Sequence, residues 1–219
     1  MKLTKVSEFC SIVLIGSFNP LIFHPYWLKE NKLISQEDIN TNNLLVHQKM
    51  SHMEVGNWMR IDVSPGKCEY RTDDPSKIPF LIDLTTGCLK LLHEDPIVAF
   101  GINYGGIYDL QNKDDFYLFG NRLHGLEQWN ESFKEPRLRT IVIEDNKSEL
   151  LSKKSIIIKS SENEKFPFAI DMSMNFHYQM PDGKQKPLEA VEKIGSTWRT
   201  CLDDYKKVFS NVQNIANHV

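Results

Sequence analysis

From Phe168 to Met180 apolar and polar side chains alternate without a break. Phe168, Ile170, Met172, Met174, Phe176, Tyr178 and Met180 point one way, and Ala169, Asp171, Ser173, Asn175, His177 and Gln179 the other. Period-two patterning over this length predicts a strand with one buried and one polar face. Shorter runs repeat it: Met59, Ile61 and Val63 alternate with Arg60 and Asp62, and Cys68 and Tyr70 with Lys67, Glu69 and Arg71. Helices can cover only the apolar side, so the pattern predicts a sheet whose other side is open and polar. A one-residue slip would exchange the faces, and the length of the Phe168–Met180 run guards against it there.

Two stretches carry the helical period instead. Ile78, Leu81, Ile82, Thr85, Cys88, Leu89 and Leu92 share one face of a helix expected over Pro79–His93. Leu188, Val191, Ile194, Trp198, Leu202, Tyr205, Val208, Phe209 and Val212, at spacings of three and four, predict a long helix over Pro187–Ile215 that crosses the back of the sheet. A third helix is expected over Lys113–Phe133, with Asn112 as N-cap and Asp114 and Asp115 in its first turn. A short one is expected over Tyr26–Ile34. The other strands are expected at Ser11–Phe18, Leu44–Val55, Trp58–Val63, Lys67–Thr72, Ile97–Leu110, Leu138–Glu144 and Ser155–Ser160, with Ser64-Pro65-Gly66-Lys67 as a hairpin turn.

A faint internal echo orders these elements. Ile12-Val13-Leu14-Ile15-Gly16 returns as Ile97-Val98-Ala99-Phe100-Gly101, and at the same offset Ile22-Phe23 returns as Ile107-Tyr108. The expectation is an α+β fold: an antiparallel sheet from a duplicated β-α-β-β-β-α unit, helices packed on one face, with a pseudo-twofold axis. The 219 residues then form a single domain, 1–219, with half-repeats at about 9–94 and 95–215.

Charge narrows the partner classes. The formal net charge is −3, and neither half is basic: residues 1–120 hold 11 Lys and Arg against 15 Asp and Glu, and the remainder 15 against 14. A chain that binds nucleic acid through phosphates normally carries an excess of Lys and Arg, so that class is disfavoured. Cys10, Cys68, Cys88 and Cys201 are far apart and form no CxxC pair, which argues against a local zinc or redox motif and for reduced, buried thiols in a cytoplasmic protein. The apolar run from Cys10 to Ile15 is too short to span a bilayer and reads as a buried strand.

No catalytic or cofactor motif emerges, so the expected catalytic, cofactor and metal residues are none. Asp171 and His177 sit six residues apart on one strand, about 20 Å at about 3.3 Å per residue, and cannot pair. His47 and His52 lack the spacing of four that would bring two imidazoles to one metal ion on a helix. Gly101-Ile102-Asn103-Tyr104-Gly105-Gly106 lacks the order of a phosphate loop and reads as a bulge or a close backbone approach within a strand. Phe18, Phe23, Tyr26 and Trp27 surround Pro20 and Pro25, an aromatic turn that closes the core and offers Tyr26 and Trp27 for partner contact.

The segment from Phe18 to Trp27, together with Gly101–Tyr104 and Asn121-Arg122-Leu123 through Trp129, resembles a group of uncharacterised bacterial proteins. The resemblance implies no activity or cofactor. In layout, the duplicated unit is similar to saddle folds such as the TATA-binding protein, but that saddle grips DNA with an apolar concave face and basic support, whereas the face expected here is polar and mixed in charge.

The reading that follows is a non-enzymatic binding module, an accessory or adaptor subunit of a bacterial multiprotein system of defence or toxin-linked type. Its protein partner is expected on Asp171, Ser173, Asn175, His177, Gln179, Arg60, Asp62, Lys67, Glu69 and Arg71 of the polar sheet face, and on Tyr26 and Trp27 of the aromatic turn. The alternatives are a nucleic-acid-binding saddle and a small-molecule enzyme with a site between the halves. The enzyme reading requires a deep pocket joining His177 or Asp171 to Lys67–Arg71.

Overall fold

The structure, a computed structural model, describes residues 1–146, 152–181 and 186–217. Nine strands, β1 (Thr4–Gly16), β2 (Leu45–His47), β3 (Met50–Val55), β4 (Met59–Ser64), β5 (Lys67–Thr72), β6 (Ile97–Asp109), β7 (Thr140–Asp145), β8 (Lys153–Ser160) and β9 (Ala169–Gln179), join in one sheet. The helices are α1 (Pro25–Glu30), α2 (Ile78–Leu91), α3 (Lys113–His124) and α4 (Pro187–Asn217). Every pairing is antiparallel and the strand order is β2-β3-β4-β5-β1-β6-β9-β8-β7, so the fold is α+β. The two strands that carry the sequence echo, β1 and β6, pair at the centre. The flanks differ, four strands outside β1 against three outside β6; duplication and a pseudo-twofold axis are not established by this order.

The core lies between one face of the sheet and α2 and α4. Ile12 and Leu14 of β1, Phe100, Ile102 and Tyr104 of β6, and Met172, Met174 and Phe176 of β9 point into it, each at most 4% exposed. Helix α2 rests on β5 and β1, α4 rests on β6, and the two helices pack on each other. Polar links fix α4 on the sheet: the Tyr104 hydroxyl donates to the Trp198 carbonyl at 3.0 Å, and the Tyr108 and Tyr205 hydroxyls lie 2.7 Å apart. Arg122 of α3 donates to the Ala216 carbonyl at 2.7 Å, satisfying an open acceptor near the end of α4. Burial pushes the Cys10, Cys88 and Cys201 thiols up to about 12. All four cysteines are buried and free. No described helix is long and apolar enough to cross a membrane.

Several expected elements have different limits. The stretch Leu44–Val55 is a hairpin, β2 and β3, with His47 opposite Met50. It turns where the Lys49 amide donates to His47 Nδ1 at 3.2 Å, a local bond that competes with strand extension. Helix α3 ends at His124 rather than Phe133 because Gly125 takes a left-handed φ of 61° and its amide bonds the Asn121 carbonyl; a single 3-10 turn, Leu126–Trp129, follows. Helix α1 stops at Glu30 rather than Ile34, with Lys32 at φ 59° and the Leu33 amide reaching back to the Leu28 carbonyl. Strand β1 begins at Thr4, seven residues before the expected start, because its polar first half pairs with β6 alone.

Candidate functional site

Alternation along each strand sets one continuous face opposite the helices. On β9 it carries Asp171, Ser173, Asn175, His177 and Gln179, beside Ile107, Gly105, Asn103, Gly101 and Ala99 of β6. On β4 and β5 it carries Arg60, Asp62 and Ser64 beside Arg71, Glu69 and Lys67. The register of β5, β1, β6, β9 and β8 joins these sets into cross-strand rows. One row reads Arg60, Arg71, Ser11, Asn103, Asn175, Ser155, and the next Asp62, Glu69, Val13, Gly101, His177, Lys153. All ten sheet residues named from the sequence therefore share a face, but β5, β1 and β6 separate Arg60 from Asn175, about 19 Å at about 4.8 Å per strand.

At the centre of that face the glycines of β6 form a floor under a hydrogen-bonded amide row, with Phe9 and Val13 of β1 beside it. Asn175 Nδ2 donates to Asn103 Oδ1 at 2.5 Å, and Asn103 Nδ2 donates to Ser11 Oγ at 3.3 Å. Gly101 makes room for it: a Cβ there would lie 2.9 Å from Asn175 Nδ2. Gly105 marks the close approach expected of this segment, since its Cβ would meet the Met172 carbonyl oxygen at 2.6 Å and the Phe9 ring at 2.7 Å. Ser11, Asn103 and Phe9 are not among the residues the sequence offers for partner contact. Ser11 sits inside an apolar run, and its only signal is a hydroxyl at an alternate position of a central strand.

The charges on either side of this floor are already matched. Arg60 Nε lies 2.9 Å from Asp62, whose other oxygen is 2.6 Å from His52 Nδ1, and Lys67 lies 2.8 Å from Glu69. Arg71 pairs with Asp73 at 3.0 Å while its guanidinium stands 4.1 Å over the Phe9 ring. Beyond β9, Lys153 pairs with Glu144, and Lys159 lies 3.7 Å from Asp171 Oδ2; Asp171 Oδ1 is sealed from solvent with no hydrogen-bond partner among the described residues. Such pairs are partly exposed and contribute little to stability. Their consequence is a face with both signs interleaved and side chains held in place before anything binds.

Tyr26 and Trp27 lie elsewhere. The Ser51 hydroxyl, on the core side of β3, donates to the Phe23 carbonyl at 2.8 Å, which places the aromatic turn on the helix-covered side of the sheet. Trp27 packs on Phe23 at 5.8 Å between centroids, and the half-exposed Tyr26 ring stacks on His24. A cavity of about 550 Å³ lies beside them, lined by Leu21, Ile22, His24, Trp27 and the end of α2. The turn and the polar rows therefore cannot touch one flat partner surface together.

A second cavity, about 470 Å³, opens at the end of β4 and β5 between Asn40, Glu54, Trp58, Arg60, Arg71 and Asp74. Neither cavity is lined by His177 or Asp171. Among the described residues no group of three or more His, Cys, Asp or Glu side chains is placed to hold a metal ion. No family model matches the chain, and no curated protein does.

Proposed function

We propose that the chain is a non-catalytic binding module, an accessory or adaptor subunit that holds a protein partner on the open face of its sheet. The observation that carries this is the amide row Asn175–Asn103–Ser11 lying on the glycine floor of β6, flanked by charges of both signs already paired with one another. A preset polar surface loses little side-chain freedom when a partner lands on it. Interleaved signs favour a partner with its own mixed charges and disfavour a uniform row of phosphates. The unmatched amide edges along the row suit a partner that presents backbone or side-chain hydrogen-bonding groups.

Capture from lysate of the native host, with nuclease treatment, tests the reading when surface variants are run in parallel. Asn175→Arg and Arg60→Glu should abolish recovery of a stoichiometric protein partner, while Tyr26→Ala on the opposite side should leave it intact. Recovery that disappears with nuclease would overturn the protein-partner reading in favour of nucleic acid. Loss in Tyr26→Ala alone would move the site to the aromatic turn.

A further inference from the structure

The two edges of the sheet are built differently. At one end β2 is only three residues long, and part of β3 beside it is covered by a bridge from Ile39 to Val55. At the other end β7 runs six residues, Thr140-Ile141-Val142-Ile143-Glu144-Asp145, in unbroken register with β8. No other described element packs substantially on it. It has no Pro, no Lys and no bulge, its charges Glu144 and Asp145 stand together at one end, and Val142 and Ile143 in its middle are 52% and 60% exposed.

The free groups of this edge can be assigned. Ser160 N–H donates to the Arg139 carbonyl at 3.1 Å, which makes Arg139 and Ser160 a hydrogen-bonded pair. Because such pairs alternate along an antiparallel ladder, Ile141, Ile143 and Asp145 also bond toward β8. The amides and carbonyls of Thr140, Val142 and Glu144 are left pointing outward.

We propose that a second copy of this chain docks on β7, antiparallel to it and centred on Val142, so that two sheets become one. This register pairs Val142 with its own counterpart and Thr140 with Glu144 of the other copy, each pair exchanging both backbone bonds. It sets Ile141 against Ile143 on the helix side, covering apolar area the helices leave exposed. It also sets Arg139 against Asp145, and no like charges meet. These end charges are engaged within the chain as well, Arg139 with Glu162 and Asp145 with Lys154, so across the interface they select register more than they add affinity. Shifting the register by two residues in either direction shortens the overlap and loses the Arg139–Asp145 match.

Sedimentation of the purified chain across a wide range of concentration should give a species of twice 25.4 kDa at the upper end. Val142→Pro should be monomeric with unchanged circular dichroism, since the lost amide is one that points outward; Val142→Lys is the second variant and should also be monomeric. Register is read by copper-phenanthroline oxidation of Ile141→Cys mixed with Ile143→Cys, positions brought to about 4.5 Å between Cα atoms in a non-hydrogen-bonded pair. The native thiols are buried and should stay silent. The proposal requires cross-linked dimer from the mixture and little from either variant alone. It is overturned by a monomer at every concentration, by polymers longer than two, by a dimer that survives both Val142 variants, or by cross-linking of one variant with itself.

Discussion

Strand β6 shows two kinds of surface on alternate residues. Toward the helices it presents Phe100, Ile102, Tyr104 and Tyr108, each at most 1% exposed, and its three rings pack against aromatic side chains of β9 and α4. Toward the open side it presents Asn103 between Gly101 and Gly105, and the two glycines let Asn175 and Phe9 lie close over the backbone. The first surface draws its stability from apolar area removed from water, at about 25 cal/mol per Å². The second draws little, because its polar groups exchange water for one another at nearly even cost. Substitutions on the two sides should therefore separate stability from binding.

The largest effect is expected on the covered side. Phe176→Ala removes a fully buried ring that meets Tyr104 edge-on, and chemical denaturation should show a loss of about 3–5 kcal/mol. Partner capture should fall only as far as the folded fraction falls. A loss below about 1 kcal/mol would mean that this face is not the main source of stability.

Within the first pH unit above 9, an intermediate effect comes from the thiols on that side. Cys10 and Cys88 are pushed from an ordinary value of 9.0 up to about 12 by burial. Above pH 9 the unfolded chain releases these protons while the folded chain keeps them, so stability is full below pH 9 and declines as pH rises toward about 12. The slope approaches about 1.4 kcal/mol per pH unit for each such thiol. Urea midpoints measured from neutral to alkaline pH should show this decline, and Cys88→Ala should flatten it by one thiol's share. An unchanged slope in that variant would remove Cys88 from the account.

The smallest stability effect should carry the largest binding effect. Asn175→Ala takes away one hydrogen bond on a half-open face and should cost about 1 kcal/mol in denaturation. If Asn175→Ala unfolds the protein like Phe176→Ala, the amide row is a structural strut, and the contrast between the faces fails.

Much of the covered face could be read from the chain. The alternation over Phe168–Met180 assigned both sides of β9 correctly, Lys67–Thr72 has the bounds of β5, and α2 and α4 lie where period-three-and-four patterning placed them. The open face was legible only strand by strand. The sequence shows that Arg71 and Asn175 each occupy a polar position; it is silent on the fact that Ser11 and Asn103 stand between them.

Periodicity is a local property of the backbone, written into consecutive residues by the helical and extended geometries, and so the chain alone determined its elements, their buried sides and the α+β class. Strand order and register are set by contacts between residues far apart in sequence, among them the 92-residue separation of Ser11 and Asn103. Tertiary structure alone decided which polar positions became one surface, put Tyr26 and Trp27 on the other side of the sheet, and left β7 at an uncovered edge. No local pattern encodes which neighbour a strand will find, because that choice is made by the packing of the whole core.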